Sequence, residues 1–195
     1  VISITTTASD KADGDRSVAA GNVIVLDAYS IIGLRNGEHY TIVGYLKDSS
    51  NNTVATSTDS FTMTLTTGTT YTNTMELSFD SSNYTGQTLS VYQELKDSSG
   101  AVIATHNDNL SDANESVTVL TPAISTVAVS GIDNTSKKLP VGRAPVKDTI
   151  SYTGLVPGDT YYLSRRIIRK RDNSVVAQKI NHSFVPSSEN GSEVV

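Results

Sequence analysis

The chain of 195 residues contains no cysteine and no tryptophan. Without cysteine, neither a disulfide framework nor a thiolate metal site can form. The sequence also has no apolar stretch of membrane-spanning length, and no basic-then-apolar signal peptide opens it. We therefore expect no membrane insertion, and we expect the chain to be an internal part of its parent protein if that protein is exported.

Positive charge is also scarce. The net charge is -5 and the pI is near 5.1, which argues against nucleic acid or an anionic membrane surface as a partner. The basic residues Arg165, Arg166 and 169–171 form a cluster beside a predicted turn, where a solvated face or a contact between domains is the ordinary interpretation. No histidine spacing indicates a metal site, and we expect no cofactor.

Threonine, serine and valine are abundant, glycine and asparagine punctuate the chain, and no long pattern of period 3.6 is present. This composition favours short strands and turns over helices. Strands are predicted at residues 4–10, 22–26, 40–46, 54–57, 60–65, 74–79, 89–95, 101–105 and 115–120. A hairpin-type turn is predicted at Asn36-Gly37, a polar turn at 66–68, and a loop or single helical turn at 81–86. Strands of this length and spacing predict an all-β, antiparallel sandwich.

An internal repeat divides the chain. Residues 27–42 read DAYSIIGLRNGEHYTI and residues 148–163 read DTISYTGLVPGDTYYL, at a constant offset because 148 − 27 and 161 − 40 are both 121. The pattern restarts after Pro122, and the second copy has no counterpart of the later strands of the first. The repeat predicts a complete domain at 1–121 and the N-terminal part of a second, incomplete domain at 122–195.

The first strand of each copy places a threonine between two apolar residues. Ile4, Thr6 and Ala8 share one face of a strand, because side chains alternate between the faces with period 2. Thr126 has the same setting in the second copy. An inward threonine is usually packed, with its hydroxyl bonded to a backbone carbonyl; the alternative is a nucleophile turned toward the core.

Four motifs, in order, carry a family resemblance. TTASDKADGD, IVLDAYSIIGL, ELSFDSSNYTGQTLSVYQEL and IATHNDNLSDANESVTV resemble the VaFE-type, or ester bond-forming, repeats of Gram-positive surface-anchored proteins. The resemblance implies immunoglobulin-like (CnaB-like) β-sandwich domains in tandem, used as a stalk of an adhesin or pilus-like fibre. It implies an extracellular location at the bacterial cell wall. The partners that it implies are neighbouring repeat domains and, through the parent protein, a host surface ligand.

The resemblance also implies the site residues. In the family, a threonine on the first strand is esterified autocatalytically by a glutamine on the last strand, with loss of ammonia. Carried over by motif, the nucleophile is Thr6 in the first domain and Thr126 in the second, and the assisting aspartate is Asp27 or Asp148. The histidine of the H-x-D motif is His106.

Two positions depart from the family pattern. Gln93 stands where the family has a glutamate, and Glu115 stands where it has the reactive glutamine. An ester from Thr6 to Glu115 would release water, whereas one to Gln93 would release ammonia on a different strand; of the two acceptors we favour Glu115. A domain without a crosslink is a third alternative, and a Lys11–Asn114 isopeptide is a weaker one because Lys11 lies in a polar turn.

The predicted function is mechanical. A covalent crosslink between the first and last strands would restrain a cysteine-free exported protein as a disulfide restrains other proteins. Such chemistry is a single turnover within the protein, so we expect no enzyme in the usual sense. The main alternative is a module that binds a host protein or glycan without a crosslink. In the second domain, a peptide carrying the missing strands is expected to ligate to Thr126 if the domain has been cut.

Overall fold

The computed structural model describes residues 1–64 and 70–195. The chain divides into two compact units, Val1–Thr121 and Pro122–Val195. The described residues form strands and two short 3₁₀ turns, so the predicted all-β class is confirmed. No helix among them is long and apolar enough to cross a membrane.

The first unit contains two sheets. One has the strand order β1-β3-β6 and is antiparallel. The other has the order β2-β9-β7-β4-β5, with β8 also paired to β7, and only the short β2–β9 pair among these described strands is parallel. The strands are β1 Ser3–Asp10, β2 Ser17–Val18, β3 Asn22–Ile32, β4 His39–Lys47, β5 Thr53–Thr62, β6 Thr70–Asp80, β7 Thr88–Lys96, β8 Val102–His106 and β9 Ser116–Val119. The 3₁₀ turns are Ser81–Tyr84 and Ala113–Glu115.

The core of the first unit lies between these sheets. Side chains alternate inward and outward along the strands, so β3 and β4 bury every second residue. The inward residues from both sheets meet in one apolar cluster, which makes the unit a sandwich. The cluster comprises Ile4, Tyr29, Ile31, Leu34, Tyr40, Ile42, Phe61, Met63, Met75 and Leu95.

Two details of the prediction are wrong. Residues 54–57 and 60–65 are not separate strands, because Thr53–Thr62 is continuous. Its central Asp59 accepts hydrogen bonds from Tyr71 Oη at 3.0 Å and Asn73 Nδ2 at 2.8 Å, and these tertiary contacts stabilise a polar residue within the strand. Asn36-Gly37 is not the turn of a hairpin, because β3 and β4 belong to different sheets; Gly37 instead takes a φ of 82° and donates its N–H to Met63 O.

The helical-turn alternative at 81–86 is confirmed by the 3₁₀ turn Ser81–Tyr84. The predicted turn at 66–68 and the end of the predicted strand at residue 65 lie outside the described residues.

The second unit repeats the opening of the first. Its strands are β10 Ala123–Ser130, β11 Val146–Thr153, β12 Tyr161–Ile168, β13 Val175–Phe184 and β14 Gly191–Val194. Their sheet orders are β10-β11-β14 and β12-β13. The β10–β11 pair corresponds to β1–β3: Ala128 lies opposite Asp148 in the second unit, as Ala8 lies opposite Asp27 in the first.

A glycine on β4 allows close approach of the two sheets in the first unit. A methyl group added at Gly44 would overlap Sδ of the buried Met75 on β6. We expect Gly44→Ala to lower the free energy of unfolding by about 1–3 kcal/mol, measured by urea unfolding. In a Met75→Ala background the methyl group has room, so the same change should cost much less. An equal cost in both backgrounds would contradict this packing argument.

Candidate crosslinking site

Thr6 lies on the inward face of β1, between two buried neighbours. Ile4 is 5% exposed and Ala8 is 0% exposed, and Thr6 itself is half-buried. On this side β1 contacts β8, the second 3₁₀ turn and β9. Strand alternation thus places the hydroxyl between the two sheets, as its sequence setting predicts.

Asp27 enters the same region from β3. Its side chain points inward, like those of Val25 and Tyr29 on the same strand. A carboxyl group therefore lies at a position where the strand pattern predicts an apolar side chain. Asp27 is fully buried. A charged residue at such a position is rare in proteins unless a partner or a function holds it there.

Gln93 comes from the opposite sheet. It alternates inward on β7 with Val91 and Leu95 and is fully buried. Its Nε2 donates a hydrogen bond to Thr6 Oγ1 at 3.1 Å and a second, short one to Asp27 Oδ2. The carboxamide therefore bridges the hydroxyl and the carboxyl across the sandwich.

Glu115 closes the site from the second 3₁₀ turn. The backbone N–H of Glu115 donates to Asp112 O at 3.1 Å, which turns the side chain inward, where it is fully buried. His106, at the end of β8, has its Nε2 4.0 Å from Glu115 Oε1 and 3.6 Å from Asp112 Oδ2. The structure thus brings Thr6, Asp27, Gln93, His106 and Glu115 together.

The carboxylate beside His106 is not the one that the H-x-D motif suggests. Asp108 is exposed, and its charge helps to raise the pKa of Tyr92. Asp112, six residues after His106, takes that position instead. Sequence reasoning missed it, because the loop that returns Asp112 to the histidine has no periodic pattern.

Burial controls the protonation of both carboxyl groups. Desolvation raises the pKa of Asp27 to about 7, assisted by the nearby Glu115 charge and opposed by hydrogen bonds from Gln93 and Thr6. Desolvation also raises the pKa of Glu115, while Thr6, His106 and Gln93 counteract the increase. Within the part of the chain that the structure describes, neither Glu115 oxygen, nor Asp27 Oδ1, nor Gln93 Oε1 has a hydrogen-bond partner of normal geometry.

These groups are suited to acyl transfer. A hydroxyl is a weak nucleophile that needs a base, and a carboxamide nitrogen needs a proton in order to leave. Buried carboxyl groups with a raised pKa can accept the first proton and supply the second near neutral pH. The arrangement therefore contains a nucleophile, an acyl carbon and two proton carriers.

The same corner could also hold a cation. The ligand atoms of His106, Asp112 and Glu115 all lie within 4.8 Å of one another, and imidazole with carboxylates is a ligand set that divalent metals accept. No spacing in the sequence indicates this cluster, because the three residues come from a strand end, a loop and a 3₁₀ turn.

The groups of the isopeptide alternative are engaged elsewhere. Lys11 Nζ forms a salt bridge with Glu76 at 2.6 Å, and Arg16 donates to Asn114 Oδ1 at 2.9 Å. The geometry favours Thr6 over Lys11 as the nucleophile.

Thr126 and Asp148 have a more open setting in the second unit. Ile124 is 65% exposed and Thr126 is also exposed, so the expectation that this threonine faces a core is wrong for the described unit. The reason is that, among the described residues, no strand packs over β10 as closely as β8, the second 3₁₀ turn and β9 pack against β1. Thr126, the half-buried Asp148 and Arg165 line a cleft of about 300 Å³, which gives Arg165 a setting other than the solvated face expected for the basic cluster.

An all-β sandwich with a hydroxyl, a carboxamide and two carboxyl groups between its sheets defines a class of domain equipped for an internal crosslink. The model of the T-Q ester bond containing domain matches residues 2–119 and 122–195. The chain belongs to this family, and the resemblance to ester bond-forming repeats is confirmed.

Solved structures share the fold. A bacterial adhesin from Mobiluncus mulieris that contains intramolecular disulfide, isopeptide and ester bond cross-links is similar in two crystal forms. In space group P1 the TM-score is 0.53 at 12% identity, covering 99% of this chain and 96% of that chain. In space group P21 it is 0.52 at 13% identity, covering 100% and 92%. Among curated proteins, none matches the sequence.

The raised pKa of Asp27 predicts a pH dependence of stability before any crosslink forms. In a Thr6→Ala variant, the folded state keeps the Asp27 proton up to about pH 7, whereas the unfolded state releases it near 3.8. The folded state binds more protons in this window, so the free energy of unfolding should fall as the pH rises from about 4 to about 7. The Asp27 contribution is at most about 4 kcal/mol, measurable by urea unfolding at several pH values.

The control is Thr6→Ala/Asp27→Asn, which keeps the side-chain shape at residue 27 and removes the titratable carboxyl group. The difference between the two variants isolates Asp27 from all other carboxyl groups. Parallel pH profiles would show that Asp27 has an ordinary pKa in the fold.

Proposed function

We propose that the chain is a stalk module of a Gram-positive, cell wall-anchored adhesin or pilus-like protein, stabilised by an autocatalytic intramolecular ester from Thr6. Membership of the T-Q ester bond family supports the chemistry, and the shared fold with a crosslinked bacterial adhesin supports the setting. The partners are neighbouring domains of the parent chain and, through that chain, a host surface ligand.

One observation carries the proposal: the Thr6 hydroxyl lies 3.1 Å from a buried carboxamide nitrogen, beside two buried carboxyl groups. Polar groups buried without full hydrogen bonding destabilise a fold, so a structural role explains this cluster poorly. A reaction that consumes the hydroxyl and an acyl group explains why these side chains are together.

The crosslink has a mechanical and a thermodynamic effect. In a chain without cysteine, it would supply the covalent restraint that a disulfide supplies elsewhere. If it joins Thr6 to β7, it closes a loop of about 88 residues, and the loss of unfolded-state entropy stabilises the unit by about 4–5 kcal/mol. The protein acts once on itself, so it is not an enzyme with an external substrate.

The intact mass of the denatured chain tests the proposal. We expect a deficit of one ammonia or one water relative to the sequence, and we expect mild alkali to reverse the link by adding one water, because esters hydrolyse under conditions that spare amides. Thr6→Ala should restore the full sequence mass and lower the melting temperature by roughly 15 °C.

Thr5→Ala is the matched control, because Thr5 lies on the same strand with an exposed side chain and should keep the deficit. An unshifted wild-type mass would refute the ester. A deficit that survives in Thr6→Ala or resists alkali would indicate a different crosslink.

A further inference from the structure

We propose that Gln93 on β7 is the acyl acceptor for Thr6 and that Glu115 receives the Thr6 proton. Compared with the family pattern, positions 93 and 115 of this chain have exchanged both their side chains and their roles. This inference rests on the proposed Thr6 ester and specifies its second residue. It departs from the sequence-based preference for Glu115 as acceptor.

The position of Gln93 supports its role as acceptor. Its Nε2 lies 3.1 Å from Thr6 Oγ1, and its carbonyl carbon is bonded to that nitrogen at about 1.3 Å. The carbon is therefore no more than about 4.4 Å from the nucleophile, which a small side-chain rotation reduces to an attack distance. Among the described residues, Gln93 Oε1 has no hydrogen-bond partner of normal geometry, so no bond to the amide oxygen opposes that rotation.

The surroundings of Glu115 support a different role. A carboxyl group is a useful acyl acceptor only when it is neutral, since a carboxylate repels the nucleophile. Glu115 is fully buried on the 3₁₀ turn that contacts β1, and its Oε1 lies 4.0 Å from His106 Nε2, so an imidazole is placed to pair with its carboxylate. The carboxylate is the form that takes a proton from Thr6.

The reaction balances with these residues alone. The Thr6 hydroxyl proton passes to the Glu115 carboxylate, and Oγ1 bonds to the Gln93 carbonyl carbon. The carbon–nitrogen bond of the amide then breaks while the protonated Asp27 carboxyl delivers its proton to Nε2. Ammonia leaves with two hydrogens of the amide and one from Asp27, and the ester joins Thr6 to residue 93.

This ester would link the two sheets. Thr6 belongs to the sheet β1-β3-β6 and Gln93 to the sheet containing β7. The strands β8 and β9 and the second 3₁₀ turn would lie outside the covalent loop, since they follow residue 93 in the chain.

Peptide mapping of the wild-type chain separates this inference from the proposed function. We expect a deficit of one ammonia and a linked peptide pair containing Thr6 and Gln93. A deficit of one water with Thr6 linked to Glu115 would overturn the acceptor assignment and leave the ester function intact. An unshifted mass would overturn both.

Two near-isosteric variants test the roles, with circular dichroism to verify that each folds. Unreacted chain is kept in concentrated urea and diluted into buffer, and the mass is followed with time. Glu115→Gln should still lose ammonia by linking Thr6 to Gln93, but about 10²-fold or more slowly, because the proton acceptor is gone. An unchanged rate would contradict the role of Glu115 as proton acceptor, and a link from Thr6 to residue 115 would contradict the role of Gln93 as the preferred acceptor.

Gln93→Glu removes the amide and keeps the side-chain shape. The product that has lost ammonia should disappear. If Thr6 instead becomes linked to Glu115 at the wild-type rate in this variant, Gln93 is not the acceptor.

Discussion

The structure of the first unit depends on burying Asp27, Gln93 and Glu115 between two sheets that otherwise meet through apolar side chains. Each buried polar atom without a partner costs roughly 1–3 kcal/mol, and several atoms of this cluster have none. The surrounding core must offset that cost before any reaction occurs. An ester between Thr6 and Gln93 would remove a hydroxyl group and an amide group, both of which have hydrogen-bond donors to satisfy. The reaction would therefore remove part of the free-energy cost of burying polar groups at this site.

From the sequence, the site could be predicted only for residues on regular strands, where side chains alternate between the two faces. Alternation places Thr6 inward on β1, and it places Asp27 inward among the apolar residues of NVIVLDAYSII. Gln93 follows the same rule on β7. Glu115 and His106 are different, because a 3₁₀ turn and a strand end bring them to the site. No local sequence pattern indicates that these two residues lie near Thr6. Only the family resemblance pointed to them.

The errors in the fold have a related cause. The Asn36-Gly37 pair does form a tight turn, but local turn chemistry cannot say whether the next strand returns to the same sheet. In this protein the chain crosses to the opposite sheet, and the pairing of β4 with β7 and β5 determines its place. Asp59 likewise interrupts the strand pattern in the sequence, whereas in the structure its carboxylate accepts hydrogen bonds from Tyr71 and Asn73 on β6. Long-range contacts thus override local signals in both places.

The identity of the acceptor determines how the first unit would respond to tension between its ends. An ester at residue 115 would leave only the six residues 116–121 after the link, about 20 Å of extended chain. An ester at Gln93 would leave residues 94–121, whose 28 residues extend to about 95 Å. Strands β8 and β9 could then detach from β7 while the covalent loop keeps β1 and β7 joined. The exchange of two side chains would therefore turn an almost inextensible module into one with a short, limited extension, without changing the fold.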